Sequence, residues 1–175
     1  KYSKMINNIE INNIQIGKGL KPMIIAEMSG NHNQSLDMAL RIVEEVAKTG
    51  AHAIKLQTYT ADTLTIDKKD DDFYLGDKKS LWNGMSMYEL YQQAHTPWEW
   101  HEQIFKRCKE LGLLCFSSPF DDTAVDFLED LHCPCYKIGS TENTDFELLK
   151  KVAATGKPII ISTGMASIEE LGEMV

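Results

Sequence analysis

Five short apolar runs recur along this 175-residue chain, and each is followed by a polar or glycine-containing turn and a helical pattern. The runs occupy residues 23–27, 53–57, 113–117, 135–139 and 158–162. The helical patterns span 35–49, 97–111, 121–131, 145–155 and 167 onward. Repeated strand–helix units imply an α/β fold with a parallel sheet. Local signals agree with that reading. Ser35 precedes an acidic first turn, Thr96 precedes Pro97, and Ser167 is followed by Glu169 and Glu170, all helix-start features. Gly50, Gly112 and Gly156 stand where helix C-caps belong, just before strands.

Two segments break the rhythm. Residues 8–18, "NIEINNIQIGK", alternate apolar and polar around Asn12-Asn13, the pattern of a small hairpin. This divides the chain into an N-terminal hairpin segment, 1–20, and a partial barrel domain, 21–175. Residues 59–95 form a long excursion after the second parallel strand, with "DKKDDDF" exposed and "LWNGMSMYELYQQ" partly helical. Loops of that length are functional or disordered, and its acids and aromatics imply a mobile front and a packed rear. Five units do not close an eight-stranded barrel. The chain lacks a starting methionine and stops early in a fifth helix, so it reads as the N-terminal portion of a longer protein with an open sheet edge.

Composition excludes several classes. The length suits one domain, and 43% hydrophobic with 25% charged residues is ordinary for a globular one. A net charge of -8 and a pI of about 5.1 give no basic footprint for nucleic acid. No apolar run approaches the roughly 20 residues that span a bilayer, and no signal-peptide pattern opens the chain. Cys108, Cys115, Cys133 and Cys135 read as reduced, buried thiols of a cytoplasmic protein.

Strand parity gathers polar groups at one pole. In a parallel barrel alternate residues face inward and outward, and reactive groups sit at the strand C-terminal ends. In "AIKLQT", Lys55 and Gln57 share the face opposite Ile54 and Leu56. In "CYKIGS", Lys137 opposes Tyr136 and Ile138. Glu27, Ser118, Ser140 and Ser162 fall at or just past strand ends. Each alone has an ordinary explanation: a solvated lysine, a turn serine, a carboxylate capping a turn. Together, two lysines and several hydroxyls suit an anionic ligand such as phosphate or carboxylate, since desolvating two lysines without an anion is costly. A carboxylate beside them balances charge, acts as a base or accepts from a sugar hydroxyl. The histidines give no HxH or HExxH spacing. His32 lies within reach of the pole and His52 at the wrong end; His95 and His101 flank "TPWEW", and His132 precedes the fourth parallel strand. Trp98 and Trp100 read as packing residues, and Cys133-Pro-Cys135 as thiols, not metal ligands.

"IIAEMSGNHNQSLDMAL", "GAHAIKLQTYTADTLTID", "CFSSPF", "YKIGSTEN" and "GKPIIISTGMAS", in that order, resemble the sialic acid (N-acetylneuraminate) synthase family. "QTYTADTLTID" and "YELYQQAHTPWEWHEQIF" are most similar to its pseudaminic acid synthases. The resemblance implies a TIM (β/α)8 barrel, here its N-terminal part, followed in the family by a C-terminal antifreeze-like domain. It implies condensation of phosphoenolpyruvate with an amino-sugar aldehyde, a 2,4-diacetamido-2,4,6-trideoxy-altrose for pseudaminic acid. The N-acetylneuraminate and legionaminic acid reactions are the alternatives. By motif, Lys55, Ser118, Lys137, Ser140 and Ser162 would surround phosphoenolpyruvate, Gln57 would orient the reactants and Glu27 would face the sugar, with Glu27, Lys55 and Lys137 catalytic. A divalent metal, Mn or Mg, is implied for the full-length enzyme, with its histidine ligands outside this chain, as is a homodimer without nucleic acid or membrane partners. Two competing readings remain. One is a Schiff-base aldolase using Lys55 or Lys137, disfavoured by a nearby carboxylate that keeps a lysine charged. The other is a non-catalytic phosphate-binding domain.

Overall fold

The structure, a computed structural model, describes residues 8–76 and 79–175. Residues 1–7 of the expected hairpin segment, and 77–78 within the excursion, lie outside the described residues. Strands β1 (Asn8–Ile11) and β2 (Ile14–Gly17) pair antiparallel, with Asn12 and Asn13 turning the chain at positive φ. Asparagine tolerates that left-handed backbone better than most side chains. Strands β3 (Ile25–Glu27), β4 (Ala53–Thr58), β5 (Leu114–Pro119), β6 (Tyr136–Ile138) and β7 (Ile159–Ile161) then pair in chain order, all parallel. They form a curled half-barrel with helices alternating between them.

The two-residue alternation of each strand decides which layer it feeds. Ile54, Leu56 and Cys115 face outward and are buried with Ala39 and Val43 of α1 (Leu36–Lys48) and Ile104 and Cys108 of α4 (Trp98–Glu110). Tyr136 and Ile138 are covered by Val125 and Leu128 of α5 (Asp122–Asp130) and Leu148 and Val152 of α6 (Phe146–Ala154). Ala53, Leu114 and Phe116 lie on the opposite face, and Ile11 of the hairpin joins their cluster from below. The hairpin therefore plugs the N-terminal pole. All four cysteines are free and buried. Among the described residues no helix is long and apolar enough to cross a membrane.

Helix ends largely follow the sequence signals. Ser35 caps α1 and Ser167 caps α7 (Ile168–Met174), each accepting a backbone N–H; Asp121 and Asp145 do the same for α5 and α6. Gly50, Gly112 and Gly156 follow their helices at φ of 81°, 72° and 70°, a region that strains any residue with a Cβ. Thr96 departs from expectation. Pro97 occupies the cap position of α4, and the Thr96 hydroxyl turns instead to His32 Nε2 at 3.1 Å.

The described part of the excursion carries its own small elements. α2 (Ala61–Leu64), a 3-10 turn (Asp71–Phe73) and α3 (Met87–Ala94) are tied by a Tyr74–Ser86 bridge, a Tyr88-to-Asp62 hydrogen bond and a Lys69–Glu89 ion pair. Its rear packs through Tyr59, which meets Tyr91 and Phe120 edge-on. α3 is the helical part that "LWNGMSMYELYQQ" foreshadowed.

Two histidines are buried where α4 meets the strand ends. His101 Nε2 bonds the Thr58 hydroxyl at 2.9 Å and Nδ1 the Pro97 carbonyl at 3.2 Å. Burial pushes the His101 pKa down to about 4 and also lowers that of His32. His32 is fully buried and edge-on to Trp100, so it staples the β3–α1 loop to α4 rather than facing the pole. Trp98 stacks on Phe127 and Trp100 packs into the outer core, the packing roles expected of both.

Two outcomes follow from this packing. Ile104→Ala removes a fully buried side chain between β4, β5 and α1 and should lower stability by about 3 kcal/mol, measured by urea unfolding. The pH dependence has a fixed sign. An unfolded His101 takes up its proton near 6.5 and the folded one only near about 4, so stability is lost as pH falls through that window. Thermal unfolding at stepped pH should show this loss, and His101→Gln should make it shallower.

Candidate active site at the strand ends

The inward residues of β3, β4 and β5 are aligned by register. Glu27 is level with Lys55, Lys55 with Phe116, and Gln57 with Ser118. The pairing of Ser117 with Tyr136 sets Ser118 level with Lys137 on β6. Parity thus delivers Glu27, Lys55, Gln57, Ser118 and Lys137 to the inner face of one pole, as the sequence implied. Phe116, fully buried, forms the apolar floor beside Lys55.

Glu27 and Lys55 form a direct ion pair, with side chains 40% and 16% exposed. The second Glu27 oxygen accepts from the backbone N–H and the hydroxyl of Ser29, at 3.2 Å and 3.0 Å. Ser29 reaches that position through a left-handed backbone at φ 47°. The carboxylate is therefore held from both sides and aimed at a cation. Nothing in the sequence pattern marked Ser29, because its role depends on that one turn.

Lys137 is treated differently. Its Nζ donates to the Ile138 carbonyl, and among the described residues no carboxylate lies within ion-pair distance of it. Burial lowers its pKa, and the charge on Lys55 lowers it further; Glu142 and Glu27 act the other way. Two ammonium groups thus share one pole, and one carboxylate is spoken for by Lys55. An incoming anion would relieve the remaining charge.

Ser140 and Ser162 follow β6 and β7. Ser162 N–H donates to the Ile138 carbonyl at 3.0 Å, continuing the ladder one residue past the strand. Its own carbonyl accepts from buried Asn143 at 3.0 Å, a tether that the sequence reading missed. Ser140 lies beside Gly164 of the following loop, where an added Cβ would stand 3.9 Å from the serine's own. Glu142 folds back over Gly139: a Cβ there would meet its carboxylate at 2.2 Å, so a larger residue would push the Glu142 side chain aside.

The other histidines stay away from this cluster. His52 Nδ1 accepts from the Ile24 N–H at 3.0 Å at the opposite pole, and His95 bonds the Gln92 carbonyl. A cavity of about 780 Å³ also lies at that opposite pole, lined by His52, Phe105, Lys106, Leu113 and His132 among others. It holds no aligned strand-end groups and is separate from the lysine cluster. Among the described residues no group of three or more His, Cys, Asp or Glu side chains is placed to hold a metal ion.

The chain as a whole is similar to known proteins. The chain is 45% identical over 154 residues to the pseudaminic acid synthase of Helicobacter pylori, spanning 88% of this chain and 45% of that protein. It is 46% identical over 163 residues to the pseudaminic acid synthase of Campylobacter jejuni, spanning 93% of this chain and 46% of that protein. Its fold matches the crystal structure of the N-acetylneuraminic acid (sialic acid) synthetase of Leptospira borgpetersenii in complex with citrate. That match has a TM-score of 0.79 and 29% identity, covering 95% of this chain and 53% of the other. The chain spans about half the length of the curated relatives it matches. Residues 42–175 match the NeuB family as a block, and with these relatives the chain belongs to the NeuB family.

Proposed function

We propose that the protein carrying this chain is a pseudaminic acid synthase. It condenses phosphoenolpyruvate with 2,4-diacetamido-2,4,6-trideoxy-altrose and releases phosphate. The observation that carries this reading is the lysine pair: Lys137 is half-buried beside Lys55, with no ion-paired carboxylate among the described residues, at a rim that also bears Ser118 and Gln57. That arrangement suits an anion with two charged ends, and phosphoenolpyruvate has a phosphate and a carboxylate. The identities of 45% and 46% to pseudaminic acid synthases, against 34% to the N,N'-diacetyllegionaminic acid synthase of Campylobacter jejuni, support the choice of sugar.

In this reading Lys55 and Lys137 stabilise the charge of phosphoenolpyruvate, and Ser118, Ser140 and Ser162 donate hydrogen bonds to it. Gln57 orients the two reactants. Carbon 3 attacks the sugar aldehyde, water adds at carbon 2, and phosphate leaves by C–O cleavage. Glu27, fixed by Lys55 and Ser29, faces the sugar and binds a hydroxyl or assists proton movement. A divalent metal, Mn or Mg, belongs to the full-length enzyme, with ligands other than these residues, and chelation by EDTA should abolish turnover. We place the enzyme in the cytoplasm, as a homodimer; the four free buried thiols support the compartment.

Lys137 also favours a second reading, a Schiff-base aldolase, because a lysine with a lowered pKa is a better nucleophile. Borohydride reduction in the presence of the aldehyde separates the two: a trapped covalent adduct would favour the aldolase.

The decisive assay uses the full-length protein with phosphoenolpyruvate and each candidate sugar, following phosphate release. Turnover with the diacetamido-altrose substrate is expected. Turnover with N-acetylmannosamine alone would overturn the choice of sugar. Glu27→Ala should retain phosphoenolpyruvate binding by calorimetry while turnover falls by about 100-fold or more. Equal loss of binding and turnover would make Glu27 structural.

A further inference from the structure

Behind the inward pair Gln57 and Ser118 lies an outward-facing polar chain that the proposed chemistry does not use. Thr58 follows Gln57 on β4, and Ser117 precedes Ser118 on β5. Their hydroxyls meet at 2.6 Å, and the Thr58 hydroxyl also meets His101 Nε2 at 2.9 Å. Thr58, Ser117 and His101 are all fully buried. We propose that His101 is a positioning residue for this site: through Thr58 and Ser117 it fixes the ends of β4 and β5, and so aims Gln57 and Ser118 at the substrate. The inference rests on the reading of those two residues as substrate-binding.

The bonding order is determined by which groups can donate. The Pro97 carbonyl can only accept, so His101 Nδ1 carries the proton that meets it at 3.2 Å. The ring is neutral, because burial holds its pKa far below the usual value. Nε2 of a neutral ring must then accept, and the Thr58 hydroxyl donates to it. That leaves the Thr58 oxygen to accept from the Ser117 hydroxyl. The chain runs in one direction: Ser117 to Thr58, Thr58 to His101, His101 to the backbone of α4. Every polar side-chain atom in it has a partner, which is what makes a buried polar chain rigid.

α4 grips the same strand end a second time. Trp98 Nε1–H donates to the Tyr59 carbonyl at 3.3 Å, one residue beyond Thr58. Phe127 of α5 backs both grips, stacked on Trp98 with centroids 4.7 Å apart and edge-on to His101 at 5.4 Å. Plain packing at this spot would be met by apolar side chains. A directed polar chain across two neighbouring strands instead fixes their relative height, and that height is what sets Gln57 level with Ser118.

The test uses the full-length protein and reads phosphoenolpyruvate affinity by calorimetry alongside kcat and KM for both substrates. Thr58→Val keeps the shape of the side chain and removes its hydroxyl. It should weaken phosphoenolpyruvate binding about tenfold, because small misplacements of binding groups are costly. Thr58→Ser restores the hydroxyl and should return affinity to within about twofold of wild type. If Thr58→Val does not fold, Ser117→Ala serves instead; it leaves the His101–Thr58 bond intact and should still weaken binding about threefold. Wild-type affinity and kcat/KM in Thr58→Val, or in Ser117→Ala, would overturn the positioning role. So would an equal loss in Thr58→Val and Thr58→Ser. A wild-type protein that binds no phosphoenolpyruvate would instead sink the functional reading itself.

Discussion

The two-residue alternation of β4 is the constraint from which the rest follows. Ile54 and Leu56 must go outward to be covered by α1 and α4, and this forces Lys55 and Gln57 inward. A slip of one residue would drive both polar side chains into the helix layer and the two apolar ones into the open pole. The register with β5 then carries the same choice across the sheet: Cys115 outward, Phe116 and Ser118 inward. The hydrophobic demand of the helix layer therefore places the polar site. No separate signal in the sequence is needed to bring Lys55 and Ser118 to the same pole.

This explains what the sequence made legible. Parity is local, so the inward set of Glu27, Lys55, Gln57, Ser118 and Lys137 could be read strand by strand, and parallel order follows from the recurring strand–helix unit. Helix starts at Ser35 and Ser167 were readable because a cap is a contact within a few residues. Thr96 shows where such reading fails. Its position before Pro97 is a proper start signal, yet tertiary packing gives its hydroxyl to His32, far away in sequence. Ser29, Asn143 and the Thr58–Ser117–His101 chain were invisible for the same reason. Each depends on a turn or on the approach of a distant element, and hydroxyls in a strand look alike whether they face solvent or a buried imidazole.

The histidines show how burial redirects a residue type. A sequence with five histidines invites a search for metal ligands. In the fold, His32 and His101 are both buried and depressed in pKa, bonded to a threonine hydroxyl and, for His101, a backbone carbonyl. Their ring nitrogens already have partners, so they act as neutral links between α4, the β3–α1 loop and the strand ends. His52 does comparable work at the other pole, closing the turn into β4 through the Ile24 N–H.

The electrostatics of the pole are deliberately unbalanced. Glu27 neutralises Lys55, and Ser29 holds Glu27 in that pose. A second carboxylate placed against Lys137 would have completed the balance. Instead Glu142 acts on Lys137 only at longer range and folds over Gly139. Lys137 is left with a backbone carbonyl, burial and a neighbouring ammonium, all in a setting with Phe116 as apolar floor. A site that fully satisfied its own charges would have to break an ion pair before binding an anion. Here part of that cost is built into the fold, and an anion entering beside Lys137 relieves it. Glu27 then remains on the Lys55 side, the one carboxylate among the described inward strand-end residues and already oriented.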